Sequence, residues 1–598
     1  MHPSYASNLT FWILAWAAAL SAGLLGSPQG LLDEPSAKPA PLAKDAEPQR
    51  SGALSPADSL KTMQLPPGLR MELVAAEPDA VDPVAIRFAE RGRRWVVEMR
   101  DYPHGPAEGQ PPLSRIRILT DPDGDGRFTV QSTFADKLLF ATGVQPWKGG
   151  AFVTMAGQVA YFPDANGDGQ AEEPITWYTG FAQENSQLRA NHPRFALDNQ
   201  IYVANGLRGG TVSYARRPTE PVSISGMDFR FDPHSGQFAA ATGAGQFGLC
   251  FDNYGNRFVC TNRNPLKHIV LADEVLRRNP AVAAPSGVHD VAAFGEDSRL
   301  YPISRAWTTS NLHAGQFTAA CGVCIYRGDA LPKEYRGNGF TCDPTGNLVH
   351  REIISPAGGT FTSRRARDEV EFLAAKDEWF RPVNLELGPD GALYVVDMYR
   401  AVIEHPQFMP EELKQRPDLR YGDDRGRIYR IVPKDAQRSK EFAEAHVADL
   451  SQLDADQLVV HLAGNPNAWQ RETAARLINE RRNFSLTLAG AVELSDLPEG
   501  RVQALWALQG LGVLQDYMVL KALADEHPRV REQAVILAVP LLDRAEVRQA
   551  VIQAANDKDA RVRFQVAVTL GNVAGPDVIA ALKTVALAGA DDPWTRLA

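Results

Sequence analysis

Two short loops carry acidic side chains and a glycine at a spacing that suits a bound cation. Both follow the pattern D-x-[DN]-x-[DN]-G-x, in which side-chain oxygens at positions 1, 3 and 5 and a carbonyl at position 7 fit Ca²⁺. The glutamate expected at position 12 is replaced by Ser132 and Ile175. We predict calcium in at least one loop, and solvated hairpin turns are the alternative. The candidate ligands are Asp121, Asp123, Asp125 and Arg127 in the first loop and Asp164, Asn166, Asp168 and Gln170 in the second.

A second group of candidates lies at the ends of predicted strands, where side chains would line a central channel. An Arg or His at such a position is more often structural than catalytic. The sequence has no G-x-S-x-G, P-loop, H-E-x-x-H or dinucleotide motif, so hydrolase, nucleotide triphosphatase and NAD-enzyme functions lack support. The channel candidates are Arg263, Asn264, His313, His350, Arg351, Arg381, Asp397 and Arg400.

Composition limits the classes of partner and cofactor. The 598 residues carry a net charge of −10 and show no stripe of Lys and Arg, which argues against a nucleic-acid-binding surface. Cys321 and Cys324 form a C-x-x-C that is followed by Ile325 instead of His, so no covalent haem site is predicted. Cys250 and Cys260 fit either a cross-strand disulfide or two buried thiols.

The N-terminal segment indicates export. Residues 11–26 form an apolar run followed by small residues, which has the length of a signal-peptide core. We predict a signal peptide or N-terminal anchor over residues 1–29 and a flexible linker rich in Pro and Ala over 30–63. The protein is therefore expected in the periplasm, on the cell surface or anchored to a membrane.

Residues 64–435 repeat one pattern, a turn followed by a short strand, and the channel candidates lie at the ends of these strands. A turn with Asp, Asn or Gly precedes a short strand rich in β-branched and aromatic residues, as in 197–206 and 388–399. The turn markers are spaced 57, 50, 56, 91 and 45 residues apart, which is typical of a β-propeller. Six blades are predicted, with seven left open, because the long step holds either an insertion or an unseen blade. The markers are Gly92, Gly149, Asn199, Gly255, Gly346 and Gly391.

Residues 450–598 change to helical spacing of Ala, Leu, Val and Arg. Five related segments recur at intervals of 33, 28, 32 and 32 residues, which predicts an α-solenoid of HEAT type. The fifth copy stops at Ala598 without a polar capping helix, so we expect a truncated solenoid or a partner that covers its end. The segments are marked by Trp469, Val502, Val530, Val562 and Trp594.

With these segments in place, the chain resembles a family of membrane-bound dehydrogenases of planctomycetes and related bacteria. Their propeller is similar to the glucose and sorbosone dehydrogenases, and their helical repeats usually lead to a cytochrome c domain that this chain lacks. The motifs that carry the resemblance lie at residues 147–150, 246–250, 262–265, 313–315, 335–337, 378–383, 395–400 and 426–430.

The resemblance implies a propeller that holds pyrroloquinoline quinone with calcium and oxidises a sugar or polyol. A His would take the hydroxyl proton, and His192 and His313 are the candidates. In the sugar dehydrogenases this His lies ten residues before the Asp of the turn; here Leu188 occupies that position and His192 lies six before Asp198. The solenoid would bind a protein partner or electron acceptor. A non-catalytic module that binds a glycan or protein is the alternative. The implied cofactor-binding residues are Arg263, Asn264, Arg351, Arg381, Asp397 and Arg400.

Overall fold

Six antiparallel sheets follow one another along the first two thirds of the chain, and their first strands pack against each other in a ring. The computed structural model describes residues 52–90, 92–121, 126–279, 286–304, 315–404, 420–436 and 449–598. The sheets are the six blades of a β-propeller, and a helical region with HEAT repeats follows them. Six blades, and not seven, is therefore the correct prediction.

The strands can be given blade by blade. The chain enters through helix α1 (Pro56–Lys61), β1 (Met63–Gln64) and β2 (Leu69–Ala76). Blade 1 contains β3 (Pro83–Phe88), β4 (Arg94–Glu98), β5 (Ser114–Thr120) and β6 (Thr129–Leu138). Blade 2 contains β7 (Gly143–Trp147), β8 (Gly150–Met155), β9 (Gln158–Phe162) and β10 (Ile175–Phe181). Blade 3 contains β11 (Asn191–Phe195), β12 (Ile201–Ala204), β15 (Asp228–Phe231) and β16 (Phe238–Ala241), and the hairpin β13 (Gly210–Tyr214) and β14 (Arg217–Ser223) extends blade 2.

The remaining blades complete the ring. Blade 4 contains β17 (Leu249–Phe251), β18 (Arg257–Thr261), β19 (Asn264–Ile269) and β20 (Val288–Asp290), with helix α2 (Asp273–Leu276) before the last strand. Blade 5 contains β21 (Cys321–Ile325), β22 (Gly339–Asp343), β23 (Leu348–Ala357), β24 (Thr360–Arg365) and β25 (Leu373–Ala375). Blade 6 contains β26 (Pro382–Leu387), β27 (Leu393–Asp397) and β28 (Arg427–Pro433).

Both ends of the propeller sequence contribute to blade 6, which closes the ring. Strand β2 pairs with β28 from Leu69↔Pro433 to Ala76↔Arg427, so the last blade is completed by the first long strand. Strand β1 pairs with β25 in blade 5. Helix α1 and strand β1 thus lie inside the segment predicted as linker (30–63), and β1 is held there by its pairing with blade 5.

The 91-residue step between the turn markers Gly255 and Gly346 arises because Gly346 marks a different turn of its blade from the other markers. Gly92, Gly149, Asn199, Gly255 and Gly391 lie in the turn after the first strand of their blades, whereas Gly346 lies after the second strand of blade 5. In blade 5 the first two strands are joined by the longer stretch 326–338 instead of a tight hairpin turn. No additional blade is needed to account for the spacing.

Ten helices form five consecutive pairs after the propeller, over residues 455–597. The pairs are α3 (Ala455–Gly464) with α4 (Ala468–Arg481), α5 (Leu486–Leu494) with α6 (Pro498–Leu511), α7 (Asp516–Leu523) with α8 (Pro528–Leu537), α9 (Ala545–Gln553) with α10 (Ala560–Leu570), and α11 (Pro576–Ala588) with α12 (Pro593–Leu597). Each predicted repeat marker lies in the second helix of a pair. Asp559 caps α10 by accepting from the N–H groups of Arg561 and Val562, and Pro498 occupies the first turn of α6.

The second helices of the solenoid pack on the propeller face that carries the first turns of the blades. Trp469 Nε1 donates to the Phe88 carbonyl at 3.3 Å, and Asn199 Nδ2 donates to the Trp506 carbonyl at 2.9 Å. Gln533 Nε2 donates to the Tyr254 carbonyl at 2.8 Å. A single hydrophobic cluster extends from blades 1, 5 and 6 into the solenoid. This surface of the solenoid is thus occupied by the chain's own propeller.

Two further predictions concern covalent links and membranes. All five cysteines are free and buried, and Cys250 lies opposite Phe258 in the ladder, so Cys250 and Cys260 are not cross-strand neighbours. The alternative of buried thiols is the correct one. Over the described part of the chain, no helix has the length and apolar character needed to cross a membrane. The apolar run 11–26 lies outside the described residues.

Candidate functional site

A cavity of about 460 Å³ opens at the end of the propeller axis where the first strands of the blades begin. The opposite end of the axis lies under the solenoid. Aliphatic, aromatic and thioether groups such as Val84, Phe247 and Met398 form part of its wall. The rest is mainly hydroxyl and amide groups, contributed by Tyr102, Thr142, Ser186, Gln187, Asn191, Asn262, Thr318 and Thr345.

His192 lies in the wall of this cavity, and its tautomer follows from its neighbours. Asn191 Nδ2 donates to the carbonyls of Arg189 and Gln246, both at 2.8 Å, which leaves Asn191 Oδ1 as an acceptor. His192 Nδ1 lies 2.8 Å from this oxygen and must therefore carry the hydrogen. Nε2 then keeps its lone pair and accepts from Asn384 Nδ2 at 2.8 Å.

Burial sets the charge of this histidine. Desolvation lowers the pKa of His192 to about 4, so the imidazole is neutral at physiological pH. The backbone approaches closely around it: a Cβ on Gly248 would lie 3.5 Å from His192 Nε2, and one on Gly143 would lie 2.4 Å from Pro193 Cδ. His192 thus combines a neutral ring with a defined acceptor atom, but Asn384 occupies that atom in this structure.

Arg263 also lines the cavity, and Asn264 lies beside it in β19. Arg263 donates to Gln316 Oε1 at 2.8 Å. Asn264 is buried and donates to Asp290 Oδ1 at 2.6 Å within blade 4, so it is held in the sheet and not at the cavity. Among the described residues that line the cavity, Arg263 is the one cation and Glu404 the one anion.

Arg351 and Arg381 were expected to bind a cofactor, but the structure places both in contacts within the protein. Arg351 donates to the Glu334 carbonyl at 2.7 Å and lies 4.0 Å above the Tyr335 ring. Arg381 donates to the carbonyls of Pro344 and Ala401, both at 2.7 Å. Neither belongs to the cavity wall, because the backbone carbonyls already take up their donors.

Asp397 and Arg400 are likewise structural. Asp397 Oδ1 accepts from the backbone N–H groups of Arg381 and Tyr399 at 2.8 and 2.9 Å, and burial raises its pKa to about 8. Arg400 forms a bidentate ion pair with Asp82 at 2.6 and 2.7 Å, and both side chains are buried. The predicted cofactor set is therefore reduced to Arg263. His313 lies outside the described residues.

The neighbour of Arg351, His350, is a buried histidine between two carboxylates. Its Nδ1 lies 2.7 Å from Glu371 and its Nε2 2.9 Å from Glu352. Burial alone lowers the pKa of His350, but the two glutamates outweigh it and raise that pKa to about 9. The charged imidazolium is therefore the form that the fold favours.

This raised pKa predicts a pH-dependent stability. The contribution of His350 is complete below its unfolded pKa of about 6.5 and is lost as pH rises through about 9, a change of roughly 3 kcal/mol. Melting temperatures of the wild type and His350→Gln will converge as pH rises over this range. A difference between the two proteins that grows with pH would contradict the assignment.

The second acidic loop forms hydrogen-bonded turns. In the second loop, Gly169 N–H donates to Asp164 Oδ2 at 3.2 Å, Asn166 Nδ2 donates to Asp168 Oδ2 at 3.0 Å, and Gln170 N–H donates to Asp168 Oδ1 at 2.8 Å. In the first loop, Gly126 N–H donates to Asp121, while Asp123 and Asp125 lie outside the described residues. In the part of the chain that the structure describes, no three His, Cys, Asp or Glu side chains form a metal-binding group. Calcium binding therefore stays a prediction without support from this structure.

Sequence reasoning missed most of the cavity wall. Its hydroxyl and amide groups lie at strand ends or in the loops next to them, on the face of the propeller that carries the cavity. None of them belongs to a sequence motif that would identify it as a binding residue. Thr142 lies directly before β7 and Asn191 is the first residue of β11, so both lie where the first strand of a blade begins. Aligning the blades by their first strands, instead of by their turns, would have grouped these two residues.

Fold and site together define a six-bladed propeller with an axial cavity, followed by a helical region with HEAT repeats. Residues 55–435 match the family described as a domain of unknown function (DUF7133), and the chain belongs to that family. Residues 517–598 match HEAT repeats. No curated protein matches the chain. The narrower resemblance to planctomycete membrane-bound dehydrogenases stays a prediction.

Solved structures similar to this chain include several sugar dehydrogenases. An oxidoreductase described as a glucose dehydrogenase, from Thermus thermophilus, is 16% identical with a TM-score of 0.38 and covers 61% of this chain and 100% of its own. The PQQ-bound aldose sugar dehydrogenase from Streptomyces coelicolor is 16% identical with a TM-score of 0.33, covering 62% and 100%. The pyranose dehydrogenase PQQ domain from Coprinopsis cinerea is 13% identical with a TM-score of 0.35, covering 62% and 97%. Likenesses at this level do not establish an activity.

Proposed function

We propose that the axial cavity binds a neutral sugar or polyol. The observation that carries this proposal is the chemistry of the wall, in which hydroxyl and amide groups alternate with Phe247, Met99 and Met398. Hydroxyl groups of a ligand need both donors and acceptors, which amides and hydroxyls provide, while C–H faces pack on aromatic and aliphatic surface. A volume of about 460 Å³ is in the range of small-ligand pockets.

Oxidation of the bound alcohol is a second candidate, favoured by His192. Its imidazole is neutral and Nε2 is the acceptor atom, so it can take a hydroxyl proton once the Asn384 amide has moved aside. Because burial lowers its pKa to about 4, this transfer also requires that the ligand-bound state stabilise the imidazolium. Such a reaction also needs an acceptor for two electrons. This is the activity that the sequence resemblance implies. The same proposal includes export of the protein and binding of a protein partner by the outer helices of the solenoid.

The described residues do not fit pyrroloquinoline quinone as that acceptor. The quinone carries three carboxylates, which require several cationic donors in the site. Arg263 lines the cavity, but Glu404 lies in the same wall, and the guanidinium groups of Arg351, Arg381 and Arg400 are held by other protein groups. We derive no step through the quinone, and we expect no stoichiometric quinone spectrum when it is mixed with the protein.

Calorimetric titration with a panel of neutral sugars and polyols tests the proposal. We expect binding by at least one member and a loss of affinity of about 2- to 13-fold in Asn262→Ala, since a hydrogen bond contributes about 0.5–1.5 kcal/mol. Gln110→Ala changes an exposed amide outside the cavity and is the matched control. Binding unaffected by Asn262→Ala, or no binding across the panel, would contradict the site. Oxidation with an added artificial electron acceptor, lost at least tenfold in His192→Ala, would support the second candidate.

A further inference from the structure

Two polar contacts cross the propeller axis at successive levels. The first joins His192 Nε2 to Asn384 Nδ2 at 2.8 Å, and the second joins the Arg194 guanidinium to the Glu386 carboxylate at 2.8 Å. Asn384 and Glu386 are two residues apart in β26 and project from one side of that strand. In β11 the register shifts between Asn191 and Arg194, so simple alternation does not apply there, but His192 and Arg194 each contact a residue of β26. Blades 3 and 6 stand opposite each other in the ring. Both contacts therefore join opposite walls of the axis.

Arg87 in β3 connects the second contact, between Arg194 and Glu386, to the backbone next to His192. Its guanidinium donates to Glu386 Oε2 at 2.7 Å and to the carbonyl of Pro193 at 2.9 Å. A third, longer bond reaches the Val144 carbonyl at 3.3 Å. Pro193 directly follows His192, so the Glu386–Arg87 pair fixes the peptide next to the imidazole. Both side chains are buried, with 9% and 7% of their surface exposed.

The backbone of His192 needs such support. Its φ is 49°, in the left-handed region that L-residues other than glycine seldom occupy. A residue stays in this conformation only when its surroundings over-determine it. The Arg87 bond to the Pro193 carbonyl and the Asn191 and Asn384 bonds to the ring are contacts of that kind.

We propose that Arg87, Arg194 and Glu386 are positioning residues that hold the His192 imidazole in the wall of the axial cavity. Their functional meaning rests on the proposed function, because it assumes that the ligand lies against this wall. The buried Arg87 guanidinium and the half-buried Arg194 guanidinium share the one Glu386 carboxylate. Neutralising that carboxylate leaves both cations without their counter-ion, so they move apart and release the Pro193 carbonyl.

The test reads the imidazole directly and needs no ligand. Protein labelled with ¹⁵N at histidine is compared by NMR in the wild type and Glu386→Gln, with His192→Gln used to assign the signal. In the wild type we expect the Nδ1–H tautomer. In Glu386→Gln we expect the population of this tautomer to fall at least about twofold, because the ring shifts relative to Asn191 and Asn384, which select it. Asp525→Asn, which disrupts the similarly buried Arg501–Asp525 pair in the solenoid, is the control and will leave the signal unchanged.

A second variant covers the case in which Glu386→Gln does not fold. Arg194→Gln removes one of the two cations and keeps the Arg87–Glu386 pair, and we expect a smaller change in the same tautomer ratio. An unchanged His192 signal in every folded variant of the pair would overturn the proposal. A wild type that binds no sugar would contradict the proposed function alone, since the tautomer measurement does not depend on it.

Discussion

Trp469→Ala will destabilise the propeller and the solenoid together, by about 3–5 kcal/mol. The indole is 8% exposed, donates to the Phe88 carbonyl at 3.3 Å, and belongs to the hydrophobic cluster shared by blades 1, 5 and 6 and the helices. Its removal leaves a cavity and an unpaired carbonyl at this junction. We expect a lower melting temperature with one joint transition in circular dichroism.

The control for this variant is Tyr517→Ala. The tyrosine is 56% exposed on α7, and its loss should cost no more than about 0.5 kcal/mol. Two separate transitions in the wild type, of which Trp469→Ala lowers only one, would show that the two parts do not share a core.

Asp82→Ala will cost about 3–5 kcal/mol, because it leaves the Arg400 guanidinium buried without its partner. The pair is wholly buried and links the start of blade 1 to the end of β27 in blade 6, beside the closure formed by β2 and β28. The loss should appear as a lower melting temperature and faster proteolysis of the propeller.

The double variant separates the ion pair from simple loss of packing. Asp82→Ala with Arg400→Met removes both charges, so it should be more stable than Asp82→Ala alone, since the unpaired charge is the main cost. If the two changes simply added, the interpretation of Asp82 and Arg400 as a coupled pair would be wrong.

The repeated elements of the fold could be predicted from sequence, because each signal is local. A turn residue at Gly255 or Gly391 followed by alternating β-branched residues identifies a hairpin without knowledge of the rest of the chain. The period near 32 residues in the helical region does the same for the solenoid. These local signals do not predict how the propeller and the solenoid contact each other. Asn199 marks a turn in the sequence and also binds the Trp506 carbonyl of the solenoid, a pairing across 307 positions.

The site was harder to predict because chemistry-bearing residue types are also good structural residues. Arg381 and Asp397 bind backbone carbonyl and N–H groups at the strand ends, and Arg400 pairs with the Asp82 carboxylate, so none of the three is left for a ligand. His192 was identified from its neighbourhood and does line the cavity. Its fixed tautomer depends on Asn191 and on Asn384 in a blade on the other side of the ring, a contact that no local pattern encodes.

The central claim is that the axial cavity is the ligand site, and a crystal structure of the protein with a bound sugar or polyol tests it most directly. The account predicts density for the ligand inside the cavity, with hydroxyl groups within hydrogen-bond distance of Asn262 or Gln187 and a C–H face against Phe247. Ligand density at any other place on the propeller or solenoid, with the cavity holding solvent alone, would contradict it.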